Sequence, residues 1–206
     1  MKFKLPRIYP ITDVRLAGIS HKAQVELLAA VGAELIQIRE KNASPKEFFD
    51  DAAEALQAAR ARGIKLIIND RIDIALALKA HGVHLGQDDV PPIVARRILG
   101  DDAIIGYSTH SAEQALEALR LPIDYIAIGP IFTTATKKDP DRTIGIAGLQ
   151  QVRANIGDFP LVGIGGIDSA NIRSVFEGGA DSAAIISGLI SDPDDIGDRF
   201  RALNDL

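Results

Sequence analysis

The chain of 206 residues contains no cysteine. Disulfides, thiolate nucleophiles and thiolate metal sites are therefore excluded, and the composition fits a reducing cytosol. Its four histidines argue against a multi-histidine zinc site. Any metal is then expected to be a hard cation held by carboxylates. No apolar run approaches the ~20 residues needed to span a bilayer. The opening MKFKLPRIYPITD is too broken by Pro6, Arg7 and Pro10 for a signal peptide. Excess positive charge is missing as well: the formal net charge is -5, which argues against nucleic acid as the main partner. A cytoplasmic protein acting on small molecules is the resulting expectation.

What is present is ordinary for a globular protein, with 47% hydrophobic and 25% charged residues. The length suits one large domain, 1–206, and no Pro/Gly/Ser linker divides it. Short β-rich apolar runs recur at 8–11, 35–38, 65–68, 82–85, 103–106, 125–128, 161–164 and 182–186. Pro10 is a defect in the first run, expected at an edge or bulge. Alanine- and leucine-rich stretches of helical period separate the runs. The longest, 45–62, opens on Ser44-Pro45 as N-cap and first-turn proline and closes at Gly63. Asp168 and Ser169 are candidate caps for the helix holding Ile172 and Val175, and Ser191-Asp192-Pro193 opens the last helix. Strict alternation of strand and helix implies a parallel sheet, and eight units in this length imply a closed (β/α)8 TIM barrel. An open doubly wound sheet is the alternative.

Polar residues follow the strands, and residues just past each strand of a parallel barrel converge on one rim. After the second strand, alternation puts Gln37, Arg39 and Lys41 on one side, where a fork of cations beside an amide suits a diphosphate and a heterocycle edge. Solvated charges at a strand end are the plainer reading. Asn69-Asp70 ends the third strand and Asp88-Asp89 follows the fourth. Carboxylates from neighbouring strand ends can share one magnesium ion, and helix capping is the competing role for each. After the fifth strand, the Ser108 hydroxyl suits a phosphate oxygen, while His110 suits proton transfer, phosphate binding or a structural hydrogen bond. The loop 133–143 after the sixth strand is long and polar, rich in threonine and lysine, and is a candidate lid for anion binding. Glycines at 163, 165 and 166 after the seventh strand, and at 188 after the eighth, allow close approach of backbone to phosphate.

Read together, QIREK at 37–41, ND at 69–70, GVHLGQDD at 82–89, STH at 108–110, GPIFTTATKKD at 129–139 and GIGGI at 163–167 resemble the thiamine phosphate synthase family over nearly the whole chain. The resemblance implies a transferase. It joins a pyrimidine diphosphate to a thiazole phosphate and releases diphosphate, with Mg2+ as cofactor. It further implies that Gln37, Ile38, Arg39, Glu40, Lys41, Asn69, Ser108 and Lys137 bind the pyrimidine diphosphate. The same resemblance gives Arg39, Lys41, Lys137 and Ser108 the catalytic role. It implies that Thr134, Ala135, Thr136, Gly166, Ile186 and Ser187 bind the thiazole phosphate, and Asp70 and Asp89 the metal. A homodimer formed through outer helices fits barrels of this kind. Three rivals share the phosphate loops: a thiazole tautomerase, in which His110 gains weight, a phosphosugar isomerase or epimerase, and a non-catalytic binding protein.

Overall fold

The computed structural model describes residues 4–134, 136 and 142–206. Eight parallel strands close in sequence order into a barrel: β1 (Ile8–Thr12), β2 (Leu35–Ile38), β3 (Lys65–Asn69), β4 (Gly82–Leu85), β5 (Ile104–Thr109), β6 (Tyr125–Ile128), β7 (Leu161–Ile164) and β8 (Ser182–Ile185). Closure by the β1–β8 ladder rules out the open sheet. The helices that separate the strands pack outside it: α1 (Val14–Ala17) and α2 (His21–Ala30) after β1, then α3 (Pro45–Ala61), α4 (Ile72–Leu78), α5 (Pro92–Leu99), α6 (Ala112–Ala118), α7 (Gly145–Ile156), α8 (Ile172–Glu177), α9 (Ser187–Ile190) and α10 (Ile196–Asn204).

Both faces of a barrel strand are buried, so the strands read as near-continuous apolar runs. Alternation then sorts their side chains into two cores. Ile36, Ile38, Leu66, Ile68, Ile126 and Ile128 point outward into the helix layer. Leu35, Ile67, Ile104, Tyr9, Ile11, Tyr125, Ala127, Val162 and Ala184 fill the lumen, with Leu5 packed on the same cluster. Pro10 is not at an edge, because a closed barrel has none. It pairs with Ile185 at the last step of the β1–β8 ladder, and the next residue, Ile11, pairs with Gln37 of β2. Its missing N–H falls where pairing passes from one neighbour to the other.

Local signals act as the sequence suggests at α3. Ser44 Oγ accepts from Glu47 N at 3.3 Å, and Glu47 returns a bond to Ser44 N at 2.8 Å, forming a capping box. Phe48, Ala52, Ala55, Leu56 and Ala59 make its buried stripe. Asp168 differs from expectation: its carboxylate accepts from Ala170 N at 2.9 Å in a turn ahead of α8, and Asn171 stands at the N-cap. Asp192 caps a short 3-10 turn, 193–195, before α10.

The N-terminal face of the barrel carries two matching clamps. Arg96 of α5 holds Asp124 at 2.8 Å, and Asp124 accepts from Ile105 N at 2.8 Å. Arg153 of α7 holds Asp181 at 2.6 Å, and Asp181 accepts from Leu161 N at 2.8 Å. These pairs tie helix ends to strand starts, away from the C-terminal rim. Among the described residues, no helix is long and apolar enough to cross a membrane.

Candidate active site

The C-terminal rim encloses a cavity of about 540 Å³, large enough for small-molecule ligands. Its wall from β2 to β5 includes Gln37, Arg39, Lys41, Asn69, Asp70, His84, Asp89, Ser108 and His110. Its wall from β6 to β8 includes Gly129, Thr134, Thr136, Gly165, Gly166, Ile186 and Ser187. Most of the sequence-derived site residues therefore meet in one place. Ile38 and Glu40 do not line it: Ile38 packs under the helices, and the Glu40 carboxylate accepts from Asn42 N at 2.6 Å and Ala43 N at 3.2 Å. The expectations for Ala135 and Lys137, and for most of the 133–143 loop as a lid, lie outside the described residues.

Alternation past the end of β2 brings Arg39 and Lys41 to the cavity with Gln37, as the spacing implies. Arg39 is tied to Asp13, one residue past β1, at 2.7 Å. Asp13 also caps α1 by accepting from Leu16 N at 3.0 Å. Sequence reasoning missed this partner because its signal is only a short capping motif after the first strand. Lys41 is bonded to Asp70 Oδ2. Capping is excluded as the role of Asp70, since α4 has no side-chain cap. Asp70 instead takes a left-handed backbone with φ of 62°, costly for a residue with a Cβ and seen where surroundings over-determine the geometry. Its N–H donates to His84 O at 2.9 Å, which pins it between the ends of β3 and β4.

Asp89 does not cap α5, whose N-cap is Pro91 with no side-chain bond, and neither does Asp88. Asp89 Oδ2 accepts from Gly86 N at 2.6 Å. Burial pushes its carboxyl up, and the neighbouring Asp70 carboxylate adds to this, while the Gly86 N–H and Lys41 oppose it. Two carboxyls on the same stretch of cavity wall, that of Asp89 held above its ordinary range, form an oxygen set that a divalent cation relieves. Among the described residues there is no group of three or more metal-ligating side chains. The pair thus fits a cation that takes its remaining ligands from water and substrate phosphates, as Mg2+ does.

The β6–β8 half is built from backbone. A Cβ at Gly166 would lie 2.5 Å from Thr133 O, and its φ is 66°. The β6 and β7 loops interlock through Ile131 N to Ile164 O at 2.9 Å and Phe132 N to Gly165 O at 3.0 Å. Thr136 N donates to Thr134 Oγ1 at 3.3 Å, so both threonines share one turn at the rim. His110 Nδ1 donates to Gly129 O at 2.7 Å, and its backbone N–H donates to Gln114 at 2.7 Å. That bond to a carbonyl fits the structural role among those open to His110, which also lines the cavity.

Beneath the cavity floor runs a chain of buried polar groups that the sequence analysis did not find. Gln37 Nε2 donates to Tyr9 Oη at 3.1 Å, and Tyr9 Oη lies 3.0 Å from Tyr125 Oη. Tyr125 Oη lies 3.0 Å from His84 Nδ1, and His84 Nε2 lies 2.8 Å from Ser108 Oγ. Burial holds His84 down to about 4, with Asp70 acting in the opposite sense, so its ring is neutral near pH 7. The available signal was a tyrosine opening an otherwise apolar strand run, whose hydroxyl needs a partner once buried.

A closed parallel barrel with a mixed-charge half rim and a glycine-rich half rim defines a phosphate-handling (β/α)8 enzyme class. The family model described as thiamine monophosphate synthase matches residues 8–189, and the chain belongs to that family. It is 42% identical to the thiamine-phosphate synthase of Chloroflexus aurantiacus, over 97% of this chain and 92% of that one. It is 46% identical to that of Desulfitobacterium hafniense, over 91% and 90%. The solved thiamine phosphate pyrophosphorylase of Pyrococcus furiosus superposes with a TM-score of 0.85 at 36% identity, covering 97% and 94% of the two chains.

Proposed function

We propose that the chain is a thiamine-phosphate synthase. It condenses 4-amino-2-methyl-5-(diphosphooxymethyl)pyrimidine with a thiazole ethyl phosphate, giving thiamine phosphate and diphosphate. The observation that carries this is the division of one cavity into two unlike halves. The half with Arg39, Lys41 and two adjoining carboxyls suits a magnesium diphosphate, and the uncharged glycine-rich half suits a monophosphate held by backbone and hydroxyls.

In this reading Asp70 and Asp89 hold Mg2+, which when bound neutralises the diphosphate and makes it a better leaving group. Arg39 grips a diphosphate oxygen while Asp13 keeps its guanidinium aimed. Lys41, paired with Asp70 in the structure, turns to the diphosphate when the carboxylate takes the cation. Lys137 joins them by family resemblance, and Ser108 donates its hydroxyl proton to the anion. Gln37 and Asn69 face the aminopyrimidine edge. Thr134, Thr136, Gly166, Ile186 and Ser187 seat the thiazole phosphate.

The bond between the pyrimidine methylene carbon and the diphosphate oxygen breaks, and the electron pair leaves with diphosphate. The amino-substituted ring delocalises the positive charge left on the methylene. The lone pair of the thiazole nitrogen then forms the new carbon–nitrogen bond. No protein nucleophile takes part. Catalysis comes from positioning and from charge placed where the leaving group develops its own.

Mixing both substrates with Mg2+ and following thiamine phosphate tests the assignment, with steady product formation expected. Binding of the thiazole phosphate without product would overturn it. Isomerisation of a thiazole phosphate alone would move the assignment to the tautomerase. The homodimer and the cytoplasmic setting belong to the same reading, and sedimentation at working concentration checks the first.

A further inference from the structure

The five-residue chain Gln37–Tyr9–Tyr125–His84–Ser108 crosses the lumen from β2 to β5 and reaches the cavity at both ends. Its middle members are fully buried, with Tyr9 at 1% and Tyr125 at 0% exposure. Room has been left for it. A Cβ at Gly106 would fall 2.3 Å from Tyr125 Oη and 2.5 Å from His84 Nδ1, so any other residue there would break the contact. The His84 ring stacks on Tyr125 at 5.6 Å, and Tyr125 meets Tyr9 edge-on at 5.9 Å, which fixes all three rings.

Proton counting limits how such a chain can be ordered. Gln37 donates through Nε2, so Tyr9 accepts there. The one hydroxyl proton of Tyr9, whose buried oxygen has Tyr125 Oη at 3.0 Å as its other partner, goes to Tyr125. Tyr125 then spends its own proton on His84 Nδ1. A neutral ring that accepts at Nδ1 carries its hydrogen on Nε2 and donates it to Ser108 Oγ. The Ser108 hydroxyl proton is left to point into the cavity, and Gln37 presents its carbonyl oxygen and a second N–H there. Reversing any link reverses all of them: Gln37 would then show only N–H groups and Ser108 only lone pairs.

We propose that Tyr9, Tyr125 and His84 are positioning residues that lock the hydrogen-bond polarity of Gln37 to that of Ser108, so that one proton order serves the aminopyrimidine edge and the anion together. The proposal rests on the reading of the cavity given under Proposed function. In the stated order the Gln37 oxygen accepts from an exocyclic amino group, its N–H faces a ring nitrogen, and Ser108 donates to a phosphate oxygen. In the reversed order Ser108 keeps no proton for the anion. Specificity for an amino-bearing heterocycle and readiness for its diphosphate are then a single property of the lumen.

Two measurements test this. In the wild-type protein, ¹⁵N shifts of the His84 ring report the tautomer without any substitution. The Nε2–H form is expected, and the Nδ1–H form would overturn the proton order. The second is a double-mutant cycle in kcat/KM for the pyrimidine diphosphate with Gln37→Ala and Ser108→Ala. The two are expected to be coupled by at least about 5-fold in the native background, and by less than about 2-fold when the cycle is repeated in Tyr125→Phe. Independent effects in the native background, or coupling that survives Tyr125→Phe, would sink the proposal. An enzyme that makes no thiamine phosphate in the native form would instead defeat the functional reading beneath it.

Discussion

Around the cavity, β2 to β5 contribute long or charged side chains, whereas β6 to β8 contribute backbone, threonines and small apolar groups. Among the described residues lining the second half, none carries a charge. The side-chain half is held by partners: Arg39 by Asp13, Lys41 by Asp70, Asp89 by Gly86 N. The backbone half is held by the interlocked loops after β6 and β7 and by glycines with no space for a Cβ. Side-chain charge on one half and backbone dipoles on the other suit two different anions on one rim. A magnesium diphosphate needs mobile countercharge, while a monophosphate can be met by fixed dipoles.

Breaking the carboxyl pair should have the largest effect. Asp70→Ala or Asp89→Ala is expected to lower kcat/KM by on the order of 100-fold or more and to weaken the response to added Mg2+. A chelator titration of the wild type should mimic the loss, leaving thiazole phosphate binding in place. An unchanged metal response in both variants would remove the pair from the metal site. Next comes a reciprocal test of the two halves. Arg39→Ala should weaken the diphosphate substrate by about 1.5–3 kcal/mol, read as its KM, with the thiazole phosphate KM nearly constant. Gly166→Val should do the opposite, because its Cβ would press on Thr133 O and its φ of 66° is unfavourable for valine. If each variant raises both KM values equally, the division into halves is wrong.

The remaining predictions concern residues outside that division. His21 is fully buried beside Thr12, and burial holds its pKa down to about 4, with Glu40 and Asp13 opposing. The unfolded chain takes up its proton near the ordinary value while the folded chain resists, so stability falls as pH drops from about 6.5 toward 4. The contribution is on the order of 1–3 kcal/mol across that window. Urea unfolding of wild type and His21→Gln at pH 7.5 and 5 checks it, and an equal pH slope in both would count against His21. Smallest is Ser44→Ala, which removes the α3 cap and should cost about 1 kcal/mol of stability with both KM values unchanged.

Much of this was legible beforehand, for reasons visible in particular residues. The eight strand runs were found within a residue at most ends, since a strand buried on both faces leaves an unbroken apolar signature. The fifth strand was the exception at its C-terminal end: it continues through Tyr107, Ser108 and Thr109, polar residues that read as loop. Capping was the least readable feature. Asp70, Asp88 and Asp89 precede helices and have cap chemistry, yet none caps: Asp70 meets Lys41 from the neighbouring strand end, and Asp89 meets the N–H of Gly86 in its own loop. Asp168 closes a turn on Ala170 N instead, and α8 starts only after Asn171.

The order of strands and helices, the inward and outward sorting of side chains, and the set of polar residues delivered to one rim can all be read along the chain. These follow from period and chain order, which are local. Which residues touch is set by the assembled barrel: Arg39 with Asp13, Lys41 with Asp70, and Tyr9 with Tyr125 across a lumen that joins residues 116 positions apart. Barrel closure sets those contacts through strand register, and register is a property of neighbouring strands that no single segment encodes.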